Sequence, residues 1–116
     1  MFRKLLRGII HGATATGADL HYEGSIAVDI DLLAGAGIAP FESVHVWSLN
    51  NGERFETYTL ASPAGSGEAM VNGGAARRAQ VGDRVIIAAF EWLTDMEIRS
   101  HKPAILLVDG ANRRGG

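Results

Sequence analysis

The chemistry in this sequence starts at one peptide bond, Gly24-Ser25, in the stretch Asp19-Leu20-His21-Tyr22-Glu23-Gly24-Ser25. A serine hydroxyl lies one carbon from its own backbone nitrogen, so it can attack the preceding carbonyl if the chain bends to allow it. Glycine ahead of the serine suits that bend, because without a Cβ it reaches strained backbone angles at little steric cost. The ester so formed can break by β-elimination, and the dehydroalanine left behind hydrolyses to a ketone. A plain serine then becomes an N-terminal pyruvoyl group, an electrophile that no ordinary side chain provides. Gly65-Ser66 is a second copy of the dipeptide, but Ser62-Pro63-Ala64-Gly65-Ser66-Gly67 around it reads as a surface loop. Context therefore separates the two.

Further candidates flank an Asn51-Gly52 pair. Ser43-Val44-His45-Val46-Trp47-Ser48-Leu49 and Glu53-Arg54-Phe55-Glu56-Thr57-Tyr58-Thr59 both alternate in polarity, so the spacing predicts a hairpin with a two-residue type I′ turn. That turn would set Asn50 opposite Glu53, Leu49 opposite Arg54 and Trp47 opposite Glu56. His45, Trp47, Leu49, Arg54, Glu56 and Tyr58 would then share one sheet face. A guanidinium, a phenol and an indole together can bind a carboxylate and deliver a proton; a solvated face with two shielding aromatics is the competing reading.

The elements that position these groups read mostly as strands. Residues 2–15 form a long strand, with Gly8, Gly12 and Gly17 as sites for bulges or bends. Ser25-Ile26-Ala27-Val28-Asp29 is a short strand. Residues 29–37 read as a short helix, capped by Asp29 or Asp31 and stopped by a left-handed Gly37. Ala69-Met70-Val71-Asn72 is another strand, Val81-Gly82-Asp83 a tight turn, and residues 84–90 a strand buried on both faces. Thr94-Asp95-Met96-Glu97 fits a capping box that opens one helical turn. Residues 104–108 form the last strand, and the polar tail from Ala111 is expected to fray. Many short strands with few helices predict a small, mainly β barrel.

With 116 residues, 47% hydrophobic and 21% charged, the chain reads as one globular domain over residues 1–116. Its net charge of -2 argues against general nucleic-acid or anionic-membrane binding. The absence of cysteine excludes disulfides and thiolate chemistry. The basic start resembles a signal peptide, but Arg7, Gly8 and His11 break the apolar run before the roughly 7–15 residues such a segment needs. Nothing approaches the roughly 20 apolar residues of a membrane helix, and a cytoplasmic location is expected. His11 and His21 lack metal-pair spacing, so no metal is expected. Glu23 is either a base or a solvated carboxylate, and Arg77-Arg78 reads as surface.

Leu20-His21-Tyr22-Glu23-Gly24-Ser25 resembles the processing site of the pyruvoyl-dependent aspartate 1-decarboxylases. The similarity runs on through Trp47, Asn51-Gly52, Arg54-Phe55, Thr57-Tyr58, Asn72-Gly73 and Val81-Gly82-Asp83. The resemblance implies a double-psi β-barrel with two or three short helices, and homotetramers with active sites between subunits. It implies a zymogen cut autocatalytically at Gly24-Ser25 into a β chain (1–24) and an α chain (25–116), with a maturation factor as a further candidate partner. The product would be a lyase that decarboxylates L-aspartate through a Schiff base to its pyruvoyl group, without pyridoxal phosphate, making β-alanine for pantothenate and coenzyme A.

Carried over by position, Ser25 becomes the pyruvoyl group and Tyr58 the proton donor to Cα. Arg54, Thr57, Gly73, Gly74 and Ala75 contact substrate. Gly24, Ser25, Thr57 and Asn72 serve processing, and His11 and Trp47 line the site. A phenol keeps its proton at neutral pH and suits a donor; a guanidinium fork matches a carboxylate in a way lysine cannot. Two positions depart from the family: Ile9 stands where a lysine is usual, and Asn72-Gly73-Gly74-Ala75 replaces Asn-Gly-Ala-Ala. Arg7 and His11 share Ile9's strand face as stand-in cations. The alternatives are a paralogue acting on another amino acid and a non-catalytic barrel subunit.

Overall fold

A computed structural model describes residues 1–19 and 24–114. The expectations placed on Leu20, His21, Tyr22, Glu23, Gly115 and Gly116 lie outside the described residues. The elements follow in order: β1 (Phe2–Thr14), β2 (Gly17–Asp19), β3 (Ser25–Asp29), α1 (Ile30–Gly35), β4 (Ser43–Ser48) and β5 (Arg54–Ser62). Then come β6 (Ala69–Asn72), a 3-10 helix (Gly73–Arg77), β7 (Arg84–Thr94), α2 (Asp95–Ile98) and β8 (Ala104–Leu107). The fold is mainly β, as expected. The strands lie in the order β2-β6-β3-β5-β4-β7-β1-β8. β1 runs almost directly into β2, so residues 15 and 16 carry the chain from one end of this order to the other. Ala15 N–H bonds Asp83 O and Thr16 N–H bonds Ala69 O, and these bonds curl the sheet toward a small barrel.

The interior is built by the alternate residues the strand period selects. Ile10, Ile26, Val28, Val44, Val46, Val71, Val85 and Ile87 are fully buried, and Leu33 of α1 plugs one end. Each contributes roughly 1.5–3 kcal/mol by leaving water. Two glycine predictions hold: the register of β1 against β7 shifts between Leu6 and Gly8 and again between His11 and Ala13. Gly8 also lets α1 approach, since a Cβ there would lie 1.8 Å from the Ala36 carbonyl oxygen. Asp29 caps α1 by accepting from Asp31 N–H at 2.8 Å, and Thr94 with Glu97 closes the capping box of α2.

Three readings need correction. The hairpin closes by pairing Trp47 with Arg54 and His45 with Glu56, so Leu49 falls in the loop and the strands slip by two residues. Only Gly52 in that loop has positive φ (74°), whereas a type I′ turn needs two such residues. Asn51 instead accepts from Glu53 N–H and donates to Arg78 O, holding a longer turn. A slip of two preserves parity, so His45, Trp47, Arg54, Glu56 and Tyr58 still share a face. Second, β7 continues past Phe90 to Thr94, because β1 pairs with it along its whole length. Third, the tail does not fray through residue 114: Val108 bridges Arg114, and Asn112 is 2% exposed. Among the described residues no helix is long and apolar enough to cross a membrane.

Candidate active site

β3 lies between β6 and β5, and its first residue is Ser25. On one side Ser25 pairs with Asn72. On the other, the parallel ladder begins at Ile26 with Thr59, which places Tyr58 one step back, beside Ser25. Tyr58 in turn pairs with Ser43 of β4. Asn72, Ser25, Tyr58 and Ser43 thus form one row across four strands. Residues level with one another in a ladder point to the same face, and Ile26 and Thr59 point to the opposite face, into the core.

Ser25 is fully buried, and Asn72 Nδ2 donates to its Oγ at 3.1 Å. Asn72 is itself 2% exposed, and its Oδ1 accepts no hydrogen bond among the described residues. The peptide ahead of Ser25 is different. Gly24 is exposed, and among the described residues a Cβ on it would meet nothing within 4 Å. The bond thus joins an open glycine to a locked serine.

The remaining candidates lie around this row at different distances. Gly73, with φ at 64°, and Gly74 and Ala75 follow Asn72 directly in the 3-10 turn. Thr57 precedes Tyr58 but pairs with buried Val44, so it faces the other way. Arg54 shares Tyr58's face, four residues and roughly 13 Å further along β5. Its guanidinium lies 4.8 Å from the centre of the Trp47 ring, a cation–π contact that fixes its direction. Trp47 pairs onward with Ile86, which pairs with the exposed His11, and Leu107 of β8 continues that second row. Between the two rows lie His45 and Glu56, 3.5 Å apart, with Phe90 set edge-on to His45. Lys4, Ser43, His45, Glu56 and Phe90 line a small cavity of about 160 Å³ there.

Ile9 pairs with Ala88 and Ile105 on the outer face. Arg7 does not stand in for a cation at that position, because Glu42 holds it in an ion pair. His11 remains exposed two residues along.

The other end of β3 carries a feature the sequence reading gave only half of. Asp29, 2% exposed, accepts from Gly67 N–H at 2.9 Å and Gly65 N–H at 3.3 Å as well as from Asp31. Burial works to raise its carboxyl pKa, but those backbone donors and Arg113 outweigh it and hold the group below the ordinary carboxylate range. A cleft of about 440 Å³ opens there, lined by Asp29, Asp31, Leu32, Ala34, Gly65 and residues 112–114. It lies a strand's length from Ser25 and contains none of the candidate site residues. Asn112 was missed altogether. Its signal was the turn-forming Asp109-Gly110-Ala111-Asn112, and it adopts the left-handed conformation (φ 58°) that asparagine tolerates.

The family model for aspartate decarboxylase matches residues 1–114. An aspartate 1-decarboxylase of Stenotrophomonas maltophilia is 53% identical over 113 residues, covering 97% of this chain and 90% of its own. One from Neisseria meningitidis is 55% identical, covering 97% and 89%, and one from Leptothrix cholodnii 50%, covering 97% and 86%. The chain belongs to the aspartate decarboxylase family.

Proposed function

We propose that this protein cuts its own Gly24-Ser25 bond and then decarboxylates L-aspartate to β-alanine, feeding pantothenate and coenzyme A synthesis. The row Asn72-Ser25-Tyr58 carries the proposal, since it sets a buried serine between an amide donor and a phenol. In the cut, Ser25 Oγ adds to the Gly24 carbonyl carbon and the C–N bond breaks, leaving an ester and a free amine. β-Elimination releases the Gly24 carboxylate, and water converts the dehydroalanine to a ketone with loss of ammonia. Asn72 Nδ2 holds Oγ in place, and in this reading the same donor steadies the oxyanion as it forms.

A pyruvoyl ketone supplies an electron sink for loss of an α-carboxylate. The residues present fit it: its parent hydroxyl is buried and accepts from the Asn72 amide, and that amide's carbonyl has no partner among the described residues. Around it, Tyr58 delivers the proton to Cα, Arg54 grips a carboxylate through its fork, and Gly73, Gly74 and Ala75 shape the pocket, whereas Thr57 faces the opposite side of the sheet and takes no part in it. Arg54 lies roughly 13 Å along β5 from Tyr58, and its guanidinium is turned onto Trp47. That arrangement favours a homotetramer in which a neighbour supplies the other wall of the site. Exposed Ile105 and Leu107, beside Ile9 and Ile86, give an apolar face for such contact.

Intact-mass measurement tests the proposal. Two fragments split at Gly24-Ser25, the larger trapped by borohydride with aspartate as an adduct on residue 25, are expected. An unsplit protein would refute it and favour a non-catalytic barrel or a precursor needing a maturation factor. A second reading, a decarboxylase of a less acidic amino acid, is favoured by apolar Ile9 together with Arg7 being held by Glu42. It predicts that aspartate is turned over no faster than neutral amino acids and that Ile9→Lys restores it.

A further inference from the structure

Self-cleavage, the reading proposed above, leaves residues 1–24 with no covalent tie to the rest of the molecule. Ladder bonds hold most of that segment: β1 pairs with β7 along its length and with β8 over residues 8–11. Its far end is held differently. After Thr14 the chain leaves β7 and β8; Ala15 exchanges backbone bonds with Asp83 and Gly82, Thr16 bonds Ala69, and among the described residues β2 then pairs with β6 over three residues. At this corner one side chain from the other fragment takes hold. Asn112 Oδ1 accepts from Thr14 N–H at 2.6 Å, and its Nδ2 donates to Thr14 O at 2.8 Å. The same Nδ2 donates to Gly67 O at 2.7 Å, and Gly67 N–H is bound by the buried Asp29 carboxylate.

The asparagine is built into place. It is 2% exposed, and its N–H bonds Asp109 O at 2.9 Å, while Asp109 accepts from Arg113 N–H at 3.0 Å. Arg113 Nη1 then reaches Gly65 O at 2.8 Å. An amide that satisfies both backbone groups of one residue mimics a strand partner, and it does so where the real strand partners end.

We infer that Asn112 is a clasp retaining the severed N-terminal fragment and fixing its cut end beside the site. β2 brings Asp19 level with Asn72, and Asn72 is the residue bonded to Ser25. Loosening Thr14 therefore frees the wall next to the reactive residue. The clasp matters little in the uncut chain, where the backbone itself tethers the segment, and it matters fully after the cut.

The experiment compares Asn112→Gly, which accepts the left-handed backbone but lacks the amide, with Asn112→Asp, which keeps an acceptor but loses both donated bonds. Each is made in the wild type and in an uncut Ser25→Ala background. The split proteins are incubated in mild urea with isotope-labelled peptide 1–24, and fragment exchange is followed by mass. Both variants should exchange on the order of tenfold faster than wild type and show faster hydrogen exchange at Thr14. They should lower the unfolding midpoint more in split than in uncut protein, whereas a merely structural asparagine would lower both equally. Exchange within twofold of wild type, or equal losses in the two backgrounds, overturns the clasp alone. A wild type that never splits overturns the clasp together with the processing reading.

Discussion

Replacing Asn72 by alanine is the sharpest test of the row that carries Ser25. The amide is 2% exposed and donates to Ser25 Oγ at 3.1 Å, so its removal takes a buried donor from a buried hydroxyl. As a ground-state bond between neutral groups it is worth about 0.5–1.5 kcal/mol, which would lower stability modestly. If the same Nδ2 steadies the oxyanion formed when Oγ adds to Gly24, its loss acts on the barrier. A preorganised donor in that role is worth about 2.7–4 kcal/mol, or 10²–10³ in rate. The two effects are separable. The half-time for appearance of the 25–116 fragment, followed by intact mass from freshly made protein, should lengthen at least a hundredfold in Asn72→Ala. The urea midpoint of the uncut Ser25→Ala form should barely move when Asn72→Ala is added. A folded Asn72→Ala that splits within threefold of wild type would refute the assignment of Asn72 to the cut.

Tyr58→Phe removes only a hydroxyl. Splitting should proceed as in wild type while β-alanine formation falls by 10²–10⁴, the range for a lost proton donor; unchanged turnover would remove Tyr58 from that role. Gly8→Ala places a Cβ 1.8 Å from the Ala36 carbonyl oxygen, so β1 and α1 must separate. A loss of about 1–3 kcal/mol or more in urea unfolding is expected. Asp29→Asn sets an amide donor against the Gly67 N–H, costing about 1–3 kcal/mol at pH 7. The Asp29 carboxyl is held below its unfolded value, so its contribution is present above pH ~4 and fades as pH falls through the folded-state pKa. The stability difference between wild type and Asp29→Asn should therefore shrink on acidification, and a constant difference down to pH 2 would refute the assignment.

Much of this was legible because local chemistry decided it. Ser25–Asp29 emerged as a strand with the bounds read from its apolar residues, and Thr94 and Glu97 formed their capping box from adjacent side chains alone. The hairpin slipped because distant groups chose its turn: Leu49 N–H bonds Arg84 O, and Asn50 Oδ1 accepts from Arg84 N–H. No pattern within residues 43–59 encodes those bonds. The face shared by Arg54 and Tyr58 survived because parity outlasts an even slip. The level of Tyr58 with Ser25 was not legible, since it arises from a parallel ladder between strands separated by a helix and a hairpin. Asn112 looked like tail because its partners, Thr14 and Gly67, lie 98 and 45 residues away.

The position of residue 25 at the head of an interior strand decides what company a ketone there could keep. Ordinary chain ends wander, and a wandering carbonyl would condense with any lysine that passed. From Ile26 onward this strand is laddered on both sides, so the new terminus would be born already moored and shielded from other macromolecules. Selectivity between a free amino acid and the crowd of protein amines would then come from where the electrophile is anchored, before any pocket residue has weighed the substrate's side chain.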